Sequence, residues 1–212
     1  MGESTPKAMS GASVADGVRG DAASDAVDRA MDRYARGDDT AFGEVYRFVA
    51  PRLRGFLFRL AGDTALAEDL AHESLLRVHR ARGNFAPGAP ALPWIFAIAR
   101  NAFLDHARRS RVARAAGESA AAAADGPELR APLEAHGDEA VAARETLEVV
   151  RATLASLPVL QREAFVLLRF EGMSVNEAAQ VLGATEAAVK VRAFRAYEAL
   201  RAALAEYRGG KP

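Results

Sequence analysis

Apolar residues recur at three- and four-residue spacing along most of the chain, and no segment alternates with the period of two that a half-buried strand shows. The pattern predicts helices only. The first begins near Ala26, carries Met31 and Tyr34, and stops at Gly37-Asp38-Asp39-Thr40, where Asp39 or Thr40 can cap the next. Phe42, Val45, Tyr46 and Val49 continue the pattern. Pro51 suits a first helical turn, and Leu53, Phe56, Leu57 and Leu60 follow it. After Gly62-Asp63-Thr64, residues 65–82 form an amphipathic helix. Leu66, Leu70, Leu75, Leu76 and Val78 face inward there; Glu68, Asp69, His72, Glu73, Arg77 and Arg80 face mostly outward. Residues 83–93 hold three prolines and two glycines and form a stiff, non-helical loop. One more helix spans Trp94 to about Arg114, with Ile95, Ile98, Phe103 and Leu104 apolar and four arginines near its end. Trp94 opens the apolar face and reads as core, not as a base-stacking platform.

Residues 115–138 lose large apolar side chains and read as a flexible linker. Beyond it, Val141, Leu147, Val150 and Leu154 mark a helix that ends before Leu157-Pro158. Leu160 to Phe170 mark another, with Phe165, Val166 and Leu168 inward. The expected division is a disordered tail at 1–24, a helical domain at 25–114, the linker, a second helical domain at 139–207 and a frayed tail at 208–212. The fold class is all-α: two small helical domains joined by a flexible linker.

The second domain ends in the most informative stretch. Ser174 and Glu177 have the spacing of a capping box. Ala178, Ala179 and Leu182 give a short helix, Gly183 can take the left-handed conformation that ends it, and Thr185 can cap a longer helix from Glu186. Short helix, glycine turn and long helix make a helix-turn-helix. On the long helix Val189, Ala193, Ala196, Tyr197, Leu200 and Leu204 share a core stripe. Lys190, Val191, Phe194 and Arg195 lie opposite, with Arg192 at the edge. Cations with a few apolar groups near a helix N-terminus suit the major groove, where Arg195 can read guanine and Phe194 can meet a thymine methyl.

Charge changes this picture. The 28 basic and 28 acidic residues cancel, whereas a protein that binds DNA alone draws most of its affinity from neutralising phosphates. DNA contact must be local or shared with a partner. No cysteine is present, which excludes disulfides and thiolate chemistry. Glu68 and His72 lack the second histidine of a metal motif, and no nucleophile elbow or phosphate-cradling glycine loop occurs. No metal, cofactor, small-molecule substrate or enzymatic activity is expected. No membrane span or signal sequence is visible, so a cytoplasmic location without membrane insertion is expected.

Three stretches resemble the extracytoplasmic-function (ECF) group of bacterial RNA polymerase sigma factors: Ala67-Glu68-Asp69-Leu70-Ala71-His72-Glu73-Ser74, Pro93 to Asn101 with Asp105 and Arg108-Arg109, and Leu157-Pro158 to Ala164 followed by Gly172-Met173-Ser174 and the helix-turn-helix. The resemblance covers residues 27–114 and 140–205. It implies that Asp69, His72 and Glu73 dock on core RNA polymerase. It implies that the loop with Asn84 and Phe85 captures a flipped base of the −10 element. Asn101 then reads a base edge, and Arg100, Arg108 and Arg109 hold strand phosphates. It implies that Lys190, Val191, Arg192, Phe194 and Arg195 read the −35 element. Promoter DNA and core polymerase are the implied partners. An anti-sigma factor is the implied inhibitor, often membrane-anchored, and could hold the chain at the inner membrane. His72 replaces the family's usual glutamine, Ala188 a common threonine and Val191 a common serine; the last two reduce hydrogen bonding to DNA. Two function classes fit the residues: a sigma factor, and a self-sufficient helix-turn-helix regulator that would bind DNA without polymerase.

Overall fold

The computed structural model describes residues 14–115 and 138–209. Among them eight α-helices and two short 3-10 turns follow one another, with no strand. The expected linker, apart from its ends, lies outside the described residues.

Helix α1 spans Val14–Ala35. It starts inside the stretch expected to be a tail. Its buried stripe, Val27, Ala30, Met31 and Tyr34, begins later, so apolar periodicity does not report the earlier turns. Asp38, rather than Asp39 or Thr40, caps the next turn and accepts the Thr40 N–H. Helix α2 (Phe42–Ala61) then runs unbroken through Pro51. The proline sits on the exposed side, as does Arg47, whose carbonyl loses its helical partner there, so water can replace the missing bond. The inward face of α2 is Val45, Val49, Leu53, Phe56, Leu57 and Leu60.

Gly62 ends α2 with φ of 75°, a conformation open to glycine at little cost. Asp63 caps α3 (Thr64–Ala81) by accepting the Leu66 N–H at 2.7 Å. Helix α4 (Ala91–Ala115) carries Pro93 in its first turn, where no N–H is missed. Phe96 of α4 meets Phe56 of α2 edge to face, with centroids 5.1 Å apart.

The second half comprises α5 (Asp138–Ser156), α6 (Val159–Arg169), α7 (Val175–Leu182) and α8 (Glu186–Gly209). Helix α8 extends through part of the expected frayed tail. The halves do not keep separate cores. Ala164, Val166, Leu167, Met173, Ala178, Val181, Leu182 and Val189 join the same apolar cluster as Leu53, Phe56, Ile95 and Phe96. Helix α7 packs on α4, and α5 and α6 pack on α2. A smaller cluster of Leu154, Leu157, Ala196 and Leu200 fastens α8 to the end of α5. Each fully buried Leu, Val or Phe contributes about 1.5–3 kcal/mol relative to exposure.

Candidate nucleic-acid and polymerase interface

The helix-turn-helix forms from its own local chemistry. The Ser174 hydroxyl accepts the Glu177 N–H at 3.2 Å, and the Ser174 N–H donates to the Glu177 carboxylate at 2.8 Å. Gly183 has φ of 57° and closes α7. The Thr185 hydroxyl accepts the Ala188 N–H at 3.2 Å and starts α8. Val189, Ala196 and Leu200 are buried beneath it. Lys190, Val191, Phe194 and Arg195 are exposed on the outer face, with Phe194 at 64%. Arg192 is half-buried, and its charge acts on Glu163. Tyr197, expected in the core, is instead 49% exposed. It stands at the edge of its stripe and lines an apolar groove of about 480 Å³ with Val150, Phe165, Phe170, Leu200 and Leu204.

On α4, Asn101, Arg108 and Arg109 are exposed on one face. Arg100 is not free. Its Nε donates to Glu163 of α6 at 3.0 Å, and its side chain is 14% exposed. In the loop before α4, Asn84 is exposed but Phe85 is 4% exposed and packs edge to face on Trp94 at 5.3 Å. Phe85 thus belongs to the core, and no free ring is presented to a base. Its position between a 3-10 turn and a proline-rich stretch hid this, because loops carry no periodicity from which burial can be read.

Two acids on α1 fix the same loop. Asp32 accepts the Gly88 N–H at 2.9 Å, and Asp28 accepts the Ala91 N–H at 2.7 Å. Asp28 therefore caps α4 from another helix. Burial raises its carboxyl above the usual range, with neighbouring acids adding to this, against the Ala91 bond that lowers it. Asp28→Ala should cost about 1 kcal/mol, the usual loss for a helix cap. Asp28→Asn should retain most of this, because an amide oxygen can still accept. Urea unfolding of both variants checks it, and equal losses would rule out the cap.

Asp69 and His72 are exposed on α3, and Asp69 forms no ion pair among the described residues. Glu73 is committed. It pairs with Arg77 at 2.8 Å, and Arg77 also pairs with Asp105 of α4 at 3.0 Å. Arg77 donates to both carboxylates, and these bonds raise its pKa. Leu76, expected inward, is 52% exposed. At about 100° per residue it lies nearly opposite Val78 and on the face of Asp69 and Glu73. Testing its angle, rather than its type, exposes it in the sequence too.

The sequence matches the family models described as Sigma-70 region 2, over residues 45–112, and Sigma-70, region 4, over residues 147–200. It is 35% identical to RNA polymerase sigma factor CarQ of Myxococcus xanthus, across 83% of this chain and 96% of that protein. It is 35% identical to ECF RNA polymerase sigma factor EcfG of Rhodopseudomonas palustris, across 74% and 81% of the two chains. Among solved structures, the sigma factor RpoE in complex with the anti-sigma factor NepR from Bartonella quintana aligns with a TM-score of 0.62 at 27% identity. That match covers 77% of this chain and 96% of the other. CnrH in complex with the cytosolic domain of CnrY aligns with a TM-score of 0.63 at 26% identity, covering 85% and 98%. With regions 2 and 4 in order on an all-helical fold, and relatives matched over most of their length, this chain belongs to the ECF group of RNA polymerase sigma factors.

Proposed function

We propose a division of labour among three helices in directing core polymerase to promoters. Helix α3 docks on polymerase through Asp69, Leu76 and His72. Helix α4 holds the opened −10 strand through Asn101, Arg108 and Arg109, with Asn84 at the loop. The N-terminal part of α8 reads the −35 duplex through Lys190, Val191, Phe194 and Arg195. The observation that carries this is the pairing of an exposed cationic and apolar face with a doubly capped helix-turn-helix. A neutral chain suits a subunit that shares its DNA affinity with polymerase, and this weighs against a self-sufficient regulator. No residue is assigned a covalent step.

An anti-sigma partner fits the apolar groove between α5, α6 and α8, and the RpoE–NepR and CnrH–CnrY complexes support one. No helix among the described residues is long and apolar enough to cross a membrane, so any hold at a membrane would come through that partner.

Asp69→Arg with Leu76→Ser tests the docking face while sparing the Glu73–Arg77–Asp105 tie. A central apolar contact beside a charge is worth about 2 kcal/mol or more at an interface, so co-purification with core polymerase should fall about thirtyfold or further. Helical content should not change. Undiminished co-purification would remove α3 as the docking helix.

A further inference from the structure

The outer face of α8 carries a line of apolar side chains. Ala187, Val191 and Phe194 are all exposed there, Val191 to 50%. At about 100° per residue they fall within about 60° of one another, with Lys190 and Arg195 on either side. Polar contacts bound the line at both ends. Asn176 of α7 donates to the Glu186 carboxylate at 3.3 Å, and Gln180 donates to the Asn176 side-chain oxygen at 2.9 Å. Glu198 comes next along the line and pairs with Arg201 at 3.4 Å. Val189 and Ala196 are buried beneath the helix, so it cannot roll to cover Val191 or Phe194.

Val191 has no side-chain atom that can donate or accept a hydrogen bond, so it cannot read a base edge as Arg195 can. The apolar group that B-DNA presents in the major groove is the C5-methyl of thymine. Val191 and Phe194 are three residues apart, a rise of about 4.5 Å along the helix. Successive bases of one strand are about 3.4 Å apart. Two apolar side chains at that spacing suit the methyl groups of two neighbouring thymines. Ala187, one turn before Val191, is small enough to let the helix seat close to the bases.

We propose that Val191 is a specificity-determining residue. Together with Phe194 it selects −35 elements that carry two adjacent thymines, by burying their methyl groups beside the guanine read by Arg195. This rests on the assignment of α8 to the −35 duplex. Burying one methyl group shifts an equilibrium about fourfold, so the pair discriminates about sixteenfold in all. The discrimination is apolar. It therefore persists at salt concentrations that weaken every phosphate contact.

The test uses holoenzyme made from core polymerase and the full chain, on a promoter that it transcribes in vitro. Each −35 thymine is replaced in turn by deoxyuridine, which removes the methyl and leaves the pairing edge intact. Closed-complex affinity is read by anisotropy of the fluorescein-labelled duplex at low temperature. Two adjacent positions should each lose about fourfold with the parent protein, and deoxyuridine in the spacer should lose nothing. Val191→Ser should abolish the difference at one of the two positions, and Phe194→Ala at the other. Such a cycle ties each side chain to its own base, which a general weakening would not do. The ratio of thymine to deoxyuridine affinity should hold as salt is raised, while both affinities fall. A −35 element without adjacent thymines, a ratio near one at every −35 thymine, or a ratio unchanged by Val191→Ser overturns the proposal. If Arg195→Ala then still weakens binding, only the thymine reading is lost. If Arg195→Ala also leaves binding unchanged, the assignment of α8 falls with it.

Discussion

Asn101→Ala is expected to form a closed promoter complex with polymerase as readily as the parent and to fail at opening it. Asn101 is exposed on α4 and offers an amide donor and acceptor that match a base edge only once that base is unpaired. Arg195 acts on the duplex. It stands exposed on the outer face of α8 beside Phe194. A bidentate contact to guanine discriminates by about 1–3 kcal/mol, so Arg195→Ala should weaken closed-complex binding about ten- to a hundredfold. A template with a pre-melted bubble separates the two. It should restore most transcription by Asn101→Ala, because the unpairing cost has already been met. It should restore Arg195→Ala much less, because the upstream contact is still missing. Permanganate reactivity on duplex template should be lost in Asn101→Ala at saturating protein. An identical response of both variants to the bubble would refute the separation of reading from opening.

Glu163→Ala should be the most destabilising single change outside the apolar core. The carboxylate is fully buried, and the Arg100 guanidinium pairs with it at 3.0 Å. Removing one partner of a buried pair leaves the other charge uncompensated, at a cost of about 3–5 kcal/mol. The same site sets a pH trend. Burial raises the Glu163 carboxyl above its ordinary value, outweighing the opposing pull of Arg100, Arg192 and Arg162. One of its oxygens has no hydrogen-bond partner, which fits that balance. Burial likewise raises Glu171 against Arg52 and Arg59. The folded state therefore takes up these protons at higher pH than the unfolded chain. Their stabilising contribution is full below the unfolded value and is lost as pH rises through the raised folded value. Urea midpoints should rise as pH is lowered from neutrality toward the ordinary carboxylate range. Glu163→Gln should flatten the trend, and a midpoint that falls over this range would contradict it. Asp38 has the opposite sign, since its bond with Thr40 lowers its carboxyl, but its effect lies below this window.

What was legible in the sequence was local. Ser174, Glu177, Gly183 and Thr185 act on neighbours within three or four residues, so spacing alone specifies their bonds and the helix-turn-helix they build. Helices with a clear stripe were legible for the same reason. The continuation of α2 through Pro51 was not, because it depends on which side of the helix faces solvent. Leu76 and Tyr197 are exposed for different reasons. Leu76 lies nearly opposite Val78 on its helix, whereas Tyr197 stands at the edge of the core stripe, where the angle alone leaves burial undecided. The core position of Phe85 and the loop ties from Asp28 and Asp32 had no local signal, since Asp28 and Ala91 lie 63 residues apart. The same separation divides Arg100 from Glu163. Each is an ordinary charged residue in its own segment, and only the packing of α6 and α7 against α2 and α4 turns them into a pair.

The apolar cluster that runs through both halves has a consequence for biosynthesis. The ribosome delivers α2, α3 and α4 first, with the surface that will receive α6 and α7 still bare. Those helices must leave the exit tunnel before the cluster can close. At about 5–20 residues per second the interval is on the order of several seconds. Through that interval the nascent chain displays apolar surface beside Arg52, Arg59 and Arg100 with none of their carboxylate partners yet made. Transiently exposed apolar surface of this kind is where a nascent chain is prone to misassociate. The emergence of Glu163 and Glu171 ends this exposure and coincides with closure of the core.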